Sequence, residues 1–396
     1  MPNLLVVYPW GVDTILDKSN GAGCRVSMLV SFLVEHGHSV TVVSGRYRSK
    51  KVSRDGVTYV DLRFPTNPLI FVLYAALAVL GSTERTRGLK ALSYFILHRY
   101  DKRFIRELRS FILQHDLVFL EYPFWGEVVC SLKKPTILTN HDVIARAWSQ
   151  GEGSTLHRII SGMEISALRA ATRVVAVSQE DCDYFIGKNL ERVVSIPNPV
   201  QMADDNPSDQ EDCSASFTPD SPFRSYALFV GSGWYPNRAA VAAIINEVAP
   251  RCPDIGFILA GRSSEGVSRQ PGNVFPLGVV SGEELKNLYR KCTFVLVAVP
   301  WGTGTALKTL EALAASRVVL STPAGIRGLP FINGKHGVVC DSVSRFPEEI
   351  YRLLDNEPRQ REIMENGKQL AMQYDYHEVY RGYLSLIDEC LERKTG

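Results

Sequence analysis

Lys308 and Glu311 are the residues whose types and spacing best suit chemistry in this chain. They stand behind a glycine-bearing loop in the run Pro300-Trp-Gly-Thr-Gly-Thr-Ala-Leu-Lys-Thr-Leu-Glu-Ala-Leu-Ala-Ala-Ser316. Gly302 and Gly304 permit unusual backbone angles and close approach by a ligand. The helix expected to follow offers unpaired N–H groups and a positive dipole end, both suited to phosphate. Three residues apart, Lys308 and Glu311 share one helix face. A cation for a diphosphate and a carboxylate for ribose hydroxyls would then lie side by side. An amphipathic helix with a surface ion pair accounts for the pair equally well, because short glycine motifs are weak signals. Two further loops carry groups suited to phosphate or sugar: Gly231-Ser-Gly233 and Gly261-Arg262, each directly after an apolar run.

Those loops need strands to hold them. In the first half, apolar runs at Leu4–Tyr8, Ser39–Ser44, Val57–Leu62, Leu117–Glu121, Thr136–Thr139, Arg173–Ser178 and Val193–Ile196 alternate with helical spacing. The helical stretches include Arg25–His36, Leu89–His115 and His157–Ala171. A second alternating series begins at Tyr226–Val230 and continues through Gly256–Ala260, Val274–Pro276, Phe294–Ala298, Arg317–Thr322 and Val338–Val339. Helices are expected there at Asn237–Ala249, Gly282–Lys291, Pro347–Asp355, Arg359–Gln373 and His377–Arg393. Alternation of this kind predicts parallel sheets covered on both faces. The segment 201–224 is polar, acidic and proline-bearing, and reads as a linker or mobile loop. The expected α/β architecture is therefore two doubly wound, Rossmann-like domains facing a cleft. Residues 1–200 form the first, 225–375 the second, and 376–396 a closing helix that packs back on the first. Ligands in such folds bind beyond the carboxyl ends of the strands.

Composition sets outer bounds. The chain has 396 residues, 45% hydrophobic and 22% charged, with a net charge of +2. That is the profile of a soluble globular protein, and it argues against nucleic acid as the main partner. Eight cysteines are scattered without a C-x-x-C pair or zinc spacing, which reads as reduced thiols in the cytoplasm. The N-terminus, lacking a basic leader, reads as the first core strand. Asp181-Cys-Asp183 is the one Asp-x-Asp and opens an expected helix, so a dipole-favouring role suits it better than a metal. No G-x-G-x-x-G follows the first strand, which disfavours an NAD-binding protein. Leu69 to Gly81 is unusually apolar, yet shorter than the roughly 20 residues a spanning helix needs. The basic residues Arg85, Arg87, Lys90, Arg99, Lys102, Arg103, Arg106 and Arg109 follow it. The combination suits an interfacial helix on an anionic membrane, or a buried helix with a solvated basic neighbour.

The chain resembles the family-4 retaining glycosyltransferases of the two-domain GT-B fold. The specific part is Gly302–Ala314. Supporting it are Phe229-Val-Gly-Ser232 with Pro236-Asn237, Phe257-Ile-Leu-Ala-Gly-Arg262, Leu277-Gly-Val-Val-Ser-Gly-Glu-Glu-Leu285, and Val318-Val-Leu-Ser-Thr322 with Gly328-Leu329. In the first half they are joined by Asn20-Gly-Ala-Gly23, His141-Asp142, Val175-Ala-Val-Ser-Gln-Glu180 and Ile196-Pro-Asn198. The resemblance implies metal-independent transfer of a sugar, with retention, from a UDP- or GDP-linked donor to a glycan or lipid-linked acceptor, with no cofactor. It implies that Glu311 holds the donor ribose. Lys308 and the N–H groups near Gly304 and Thr305 would neutralise the diphosphate. Gly231, Ser232, Asn237 and Arg262 would lie at the donor, and Val279 and Val280 at the base. It places His141 near the sugar's primary hydroxyl, with Gly21 and Gly23 close to sugar or phosphate. Glu121, Tyr122 and Trp125 would face the acceptor, although a buried aromatic cluster also fits that run.

Two positions depart from the family pattern. Thr303 stands where a second glutamate is frequent, eight residues before Glu311. The usual arginine and lysine after the Gly231 strand are also replaced, leaving Lys308, Arg238 or Arg262 to supply positive charge. A nucleotide-sugar epimerase of the same fold and an inactive glycosyltransferase-like scaffold are the alternatives. A cytoplasmic enzyme, peripherally associated with the cytoplasmic face of a membrane through residues 69–109, completes the expectation.

Overall fold

A computed structural model describes residues 1–17, 21–81, 87–148, 154–202, 223–268, 271–302 and 305–392. The chain divides into two compact units, one of Met1–Asn198 with Val379–Gly396, the other of Pro199–Glu378. Most of the expected linker, together with Asn20, Thr303 and Gly304, lies outside the described residues.

The first unit is an eight-stranded sheet. Its strands are β1 (Asn3–Tyr8), β2 (Ser39–Arg46), β3 (Lys50–Arg54), β4 (Val57–Arg63), β5 (Leu117–Glu121), β6 (Thr136–Asn140), β7 (Arg173–Ala176) and β8 (Val193–Ser195). They run in the order β3-β4-β2-β1-β5-β6-β7-β8, parallel except for β3 against β4. The central strands β1, β5 and β6 are almost wholly buried, as strands covered by helices on both faces must be. Strand order reverses between β1 and β5, so their carboxyl ends flank the crevice where such sheets bind ligands.

The second unit has β9 (Ser225–Val230), β10 (Ile255–Ala260), β11 (Val274–Gly278), β12 (Phe294–Val297), β13 (Val318–Ser321) and β14 (Val338–Val339), in the order β11-β10-β9-β12-β13-β14, all parallel. Here the order reverses between β9 and β12. Phe229, Phe257 and Phe294 are fully buried in its core, each contributing about 1.5–3 kcal/mol. Each unit is thus a doubly wound α/β domain.

Three local features differ from expectation. The predicted helix Leu89–His115 breaks into Arg87–Ile96, a 3₁₀ turn Leu97–Tyr100, and Lys102–Gln114. Asp101 causes the break: its carboxylate accepts from Phe104 N at 3.2 Å and from Thr66 N at 2.5 Å, capping a new helix. Strand β3 was not anticipated. The expected helix Asn237–Ala249 begins at Tyr235 and loosens into a π turn over Ile244–Val248. Among the described residues, no helix is long and apolar enough to cross a membrane.

Candidate functional site

In the second unit, the loops after β9, β10 and β12 meet at the strand-order reversal. Trp234, beyond β9, meets Trp301, beyond β12, edge to face with ring centroids 4.9 Å apart. Gly231 and Gly261 touch: Gly261 has φ 93°, and a Cβ there would lie 2.2 Å from the Gly231 carbonyl oxygen. These two glycines are demanded by packing of one loop on the other. Ser263 Oγ donates to the Gly231 carbonyl at 3.0 Å, and Asn237 Nδ2 donates to Ser232 O and Oγ, both at 3.1 Å. Asn237 is buried, and its Oδ1 has no partner among the described residues. Ser232 and Gly233 are exposed at the tip. A side chain at Gly233 would sit 3.5 Å from Arg262 Cβ and 4.0 Å from Arg238 Nη2, so two exposed arginines flank this loop. Val280 packs half-buried against the core, while Val279 is exposed.

The described residues of the Pro300–Ser316 run include the helix Leu307–Ala314, beyond the end of β12. Arg327 braces the loop, donating from Nη1 to the Gly302 carbonyl at 2.5 Å and accepting on its own carbonyl from Ala306 N at 3.1 Å. Thr305 is buried at the helix entrance. Leu310, Ala312 and Leu313 enter the core, which leaves Lys308 and Glu311 half-buried on another face. Neither forms an ion pair with a described residue. Burial pushes the Lys308 ammonium below its ordinary value, opposed by the charge of Glu311. Burial likewise pushes the Glu311 carboxyl up, opposed by Tyr289 and Lys308. Tyr289 OH donates to Glu311 Oε2 at 3.1 Å, from the helix Gly282–Lys291. Tyr289 was not singled out in the sequence; only its helical position, facing the core, hinted at it. Lys308 and Glu311 are thus two partly desolvated groups of opposite charge that form no ion pair with each other.

In the first unit, His141 follows β6 and Glu121 ends β5, and these strands are neighbours. His141 Nε2 lies 2.6 Å from Glu121 Oε2, and both side chains are buried. Burial holds the imidazole below its ordinary pKa, with Glu121 opposing and Arg25 reinforcing that shift. The neutral ring therefore donates Nε2–H to the carboxylate. Nδ1 is left as an acceptor without a partner among the described residues. Tyr122, held at φ 75°, stacks on the imidazole at 4.4 Å and 13°. The other oxygen of Glu121, Oε1, is buried and also lacks a described partner.

A buried arginine supports this group. Arg25 donates to the Pro197 carbonyl at 3.0 Å, to Asn198 Oδ1 at 2.9 Å and to Tyr383 OH at 2.9 Å; Tyr383 OH lies 3.0 Å from Thr139 Oγ1. The nearby tyrosines and Glu121 raise the Arg25 pKa against the opposing effect of burial. Gly21 and Gly23 begin the same helix, Gly21–Glu35, with Gly21 exposed and Gly23 buried. Glu164 fastens the His141 loop, accepting from Asn140 Nδ2 at 2.8 Å, Ile144 N at 2.7 Å and Ala145 N at 3.1 Å. Burial pushes that carboxyl up to about 7. Arg25 and Glu164 both escaped sequence reasoning, since charged residues inside apolar helices read as surface positions. Tyr122 and Trp125 are core residues. Tyr122 lies between Trp10 and His141, and Trp125 packs on Phe104. As placed, neither ring offers a sugar an open face. Asp181 and Asp183 occupy the first turns of the helix Gln179–Ile186, which Ser178 caps.

A doubly wound pair of units with these loops defines a protein of the GT-B type. Residues 19–204 match the family model described as Glycosyltransferase Family 4, and residues 224–356 match that described as Glycosyl transferases group 1. Both units thus match glycosyltransferase models, and the chain is similar to the family-4 glycosyltransferases of the GT-B fold. It is 28% identical over 115 residues to an uncharacterized glycosyltransferase of Methanocaldococcus jannaschii. That match covers 28% of this chain and 32% of the relative, so the chain spans about a third of the relative's length. Its fold is similar to that of sucrose-phosphate synthase from Thermosynechococcus elongatus, with TM-score 0.71 and 14% identity over 99% of this chain and 100% of that one. It is also similar to Anabaena HepE in complex with UDP-glucose, with TM-score 0.66 and 14% identity over 98% of this chain and 100% of that one.

Proposed function

We propose that the protein transfers a sugar from a UDP- or GDP-linked donor to a glycan or lipid-linked acceptor, with retention at the anomeric carbon and without a metal or cofactor. The observation that carries this reading is the half-buried pair Lys308 and Glu311, which form no ion pair with each other, behind the β12 loop at the strand-order reversal of the second unit. The UDP-glucose bound in HepE supports the choice of donor class. In the transfer, the bond from the anomeric carbon to the diphosphate oxygen breaks and a bond to the acceptor oxygen forms. The acceptor's proton passes to the leaving phosphate. Negative charge grows on the diphosphate during this step, so the fixed charge of Lys308 and the loop N–H groups favours the transition state over the ground state. Arg238 and Arg262 supply the cations that the family's usual arginine and lysine provide elsewhere. Glu311 orients the ribose, and Tyr289 orients Glu311. His141 accepts a sugar hydroxyl through Nδ1. The enzyme works at the cytoplasmic face of a membrane, which its exposed apolar helix contacts.

A donor screen tests the proposal. UDP or GDP release that requires an acceptor is the expected result. Lys308→Ala and Glu311→Ala should each lower turnover on the order of 10²-fold while the fold persists. If no nucleotide raises the melting temperature, the inactive-scaffold alternative holds instead.

A further inference from the structure

The helix Pro68–Leu80 buries only Ile70. Leu69 is 72% exposed, Val72 61%, Val79 71% and Leu80 59%, with Leu73 and Ala76 also exposed. Residues 69, 72, 73, 76, 79 and 80 recur at helical spacing, so they form one apolar stripe turned to solvent. A monomeric soluble domain rarely leaves such a stripe uncovered. On another face of the same helix, Phe71 meets Tyr47 with ring centroids 5.2 Å apart.

Beside the stripe is a cleft of about 590 Å³, lined among others by Tyr47, Arg48, Arg63, Thr66, Asn67 and Phe71. Its cations differ from their neighbours. Arg46 and Lys50 are paired with Asp13, at 2.5 and 2.7 Å. Arg48 and Arg63 are exposed and form no ion pair with a described residue. Both line the cleft together with the aromatic rings of Tyr47 and Phe71. Arg63 ends β4 and Arg48 lies just beyond the end of β2. Because β2, β4, β5 and β6 are joined in parallel register, the cleft lies along the same sheet edge as Glu121 and His141.

We infer that this cleft binds the phosphate of an anionic phospholipid headgroup while the apolar stripe enters the adjoining acyl region. The inference rests on the membrane contact proposed above and names the group recognised there. Charge and geometry argue for the lipid: guanidinium groups suit phosphate oxygens, and an exposed apolar stripe near a cleft with two arginines, neither ion-paired to a described residue, matches the boundary of an anionic bilayer. The occupant also explains why the stripe and the cleft adjoin. A sugar acceptor carried on a membrane lipid would arrive at the sheet edge that holds His141.

Co-sedimentation of the full chain with vesicles tests this. Vesicles of phosphatidylcholine with phosphatidylglycerol should bind the protein, and phosphatidylcholine alone should bind it much more weakly. The double variant Arg48→Ala/Arg63→Ala should bind the anionic vesicles roughly 30-fold more weakly, about fivefold per arginine. Arg106→Ala/Arg109→Ala, which removes two exposed arginines outside the cleft, should lose far less. Equal losses in the two double variants would overturn the cleft assignment and leave membrane contact standing. Failure of the wild type to bind any vesicle would remove membrane contact itself, as would a lipid-free dimer that Leu69→Asp/Val72→Asp dissociates. Unchanged melting temperatures in the variants keep each comparison free of misfolding.

Discussion

At His141 the two ring nitrogens have different fates. Nε2 is committed to Glu121 at 2.6 Å, and Nδ1 remains available. The carboxylate therefore fixes the tautomer, and a glutamine in its place would not. The Glu121→Gln amide can donate to Nε2, which moves the ring proton to Nδ1 and turns an acceptor into a donor. In the proposed transfer, Glu121→Gln should lower turnover on the order of 10²-fold with little change in melting temperature, a loss of the kind a wrong tautomer causes. Turnover equal to wild type would remove Glu121 from the site. The depressed pKa of His141 carries a second expectation. A base whose folded pKa lies below its ordinary 6.5 contributes stability that is present above that value and is lost as pH falls through the folded one. Unfolding free energy measured by denaturant titration should thus fall below pH 6.5 more steeply for wild type than for His141→Asn.

Among the elements, the closest constraint lies between the β9 and β10 loops. Gly261→Ala would force a Cβ against the Gly231 carbonyl at a left-handed φ. Thermal unfolding should show a loss of several kcal/mol, about 3 or more. A stable, fully active alanine variant would mean the two loops are free to part. The sequence revealed much of this framework. Apolar runs such as Leu117–Glu121 became strands because parallel strands buried on both faces are continuous in hydrophobicity. The hairpin strand β3 was missed because Lys50 to Arg54 is almost entirely polar. Its signal lay in the turn: Asp55 and Gly56 have φ 51° and 76°, the Asp-Gly signature of a tight hairpin. The break at Asp101 was hidden for another reason. Its partner Thr66 lies 35 residues away, and helical periodicity carries no information about such a bond. The Lys308 and Glu311 pair was legible from spacing on one helix. Arg25 and Tyr383 were not, since 358 residues separate them.

On the scale of the whole chain, the last helix, Tyr376–Glu392, completes the first unit from Val379 onward. Tyr380 OH donates to the Arg25 carbonyl at 2.9 Å, and Tyr383 receives the Arg25 guanidinium. Ending the chain at Glu378 would leave a buried cation without its phenol partner and expose the face that Tyr380, Leu386 and Ile387 cover. The first unit's melting temperature should drop by roughly 10 °C or more, given about 2–4 °C per kcal/mol at this size. An unchanged transition in calorimetry would show that the helix is dispensable. In the proposed function, the protein holds its nucleotide-sugar donor at Lys308 and Glu311. Calorimetric titration of the full-length chain with UDP and GDP tests it most directly. One of the two should bind wild type, and Lys308→Ala and Glu311→Ala should each weaken that binding by roughly tenfold or more, as loss of a charged hydrogen bond does. Binding of equal strength in both variants, or no binding of either nucleotide to wild type, would contradict the claim.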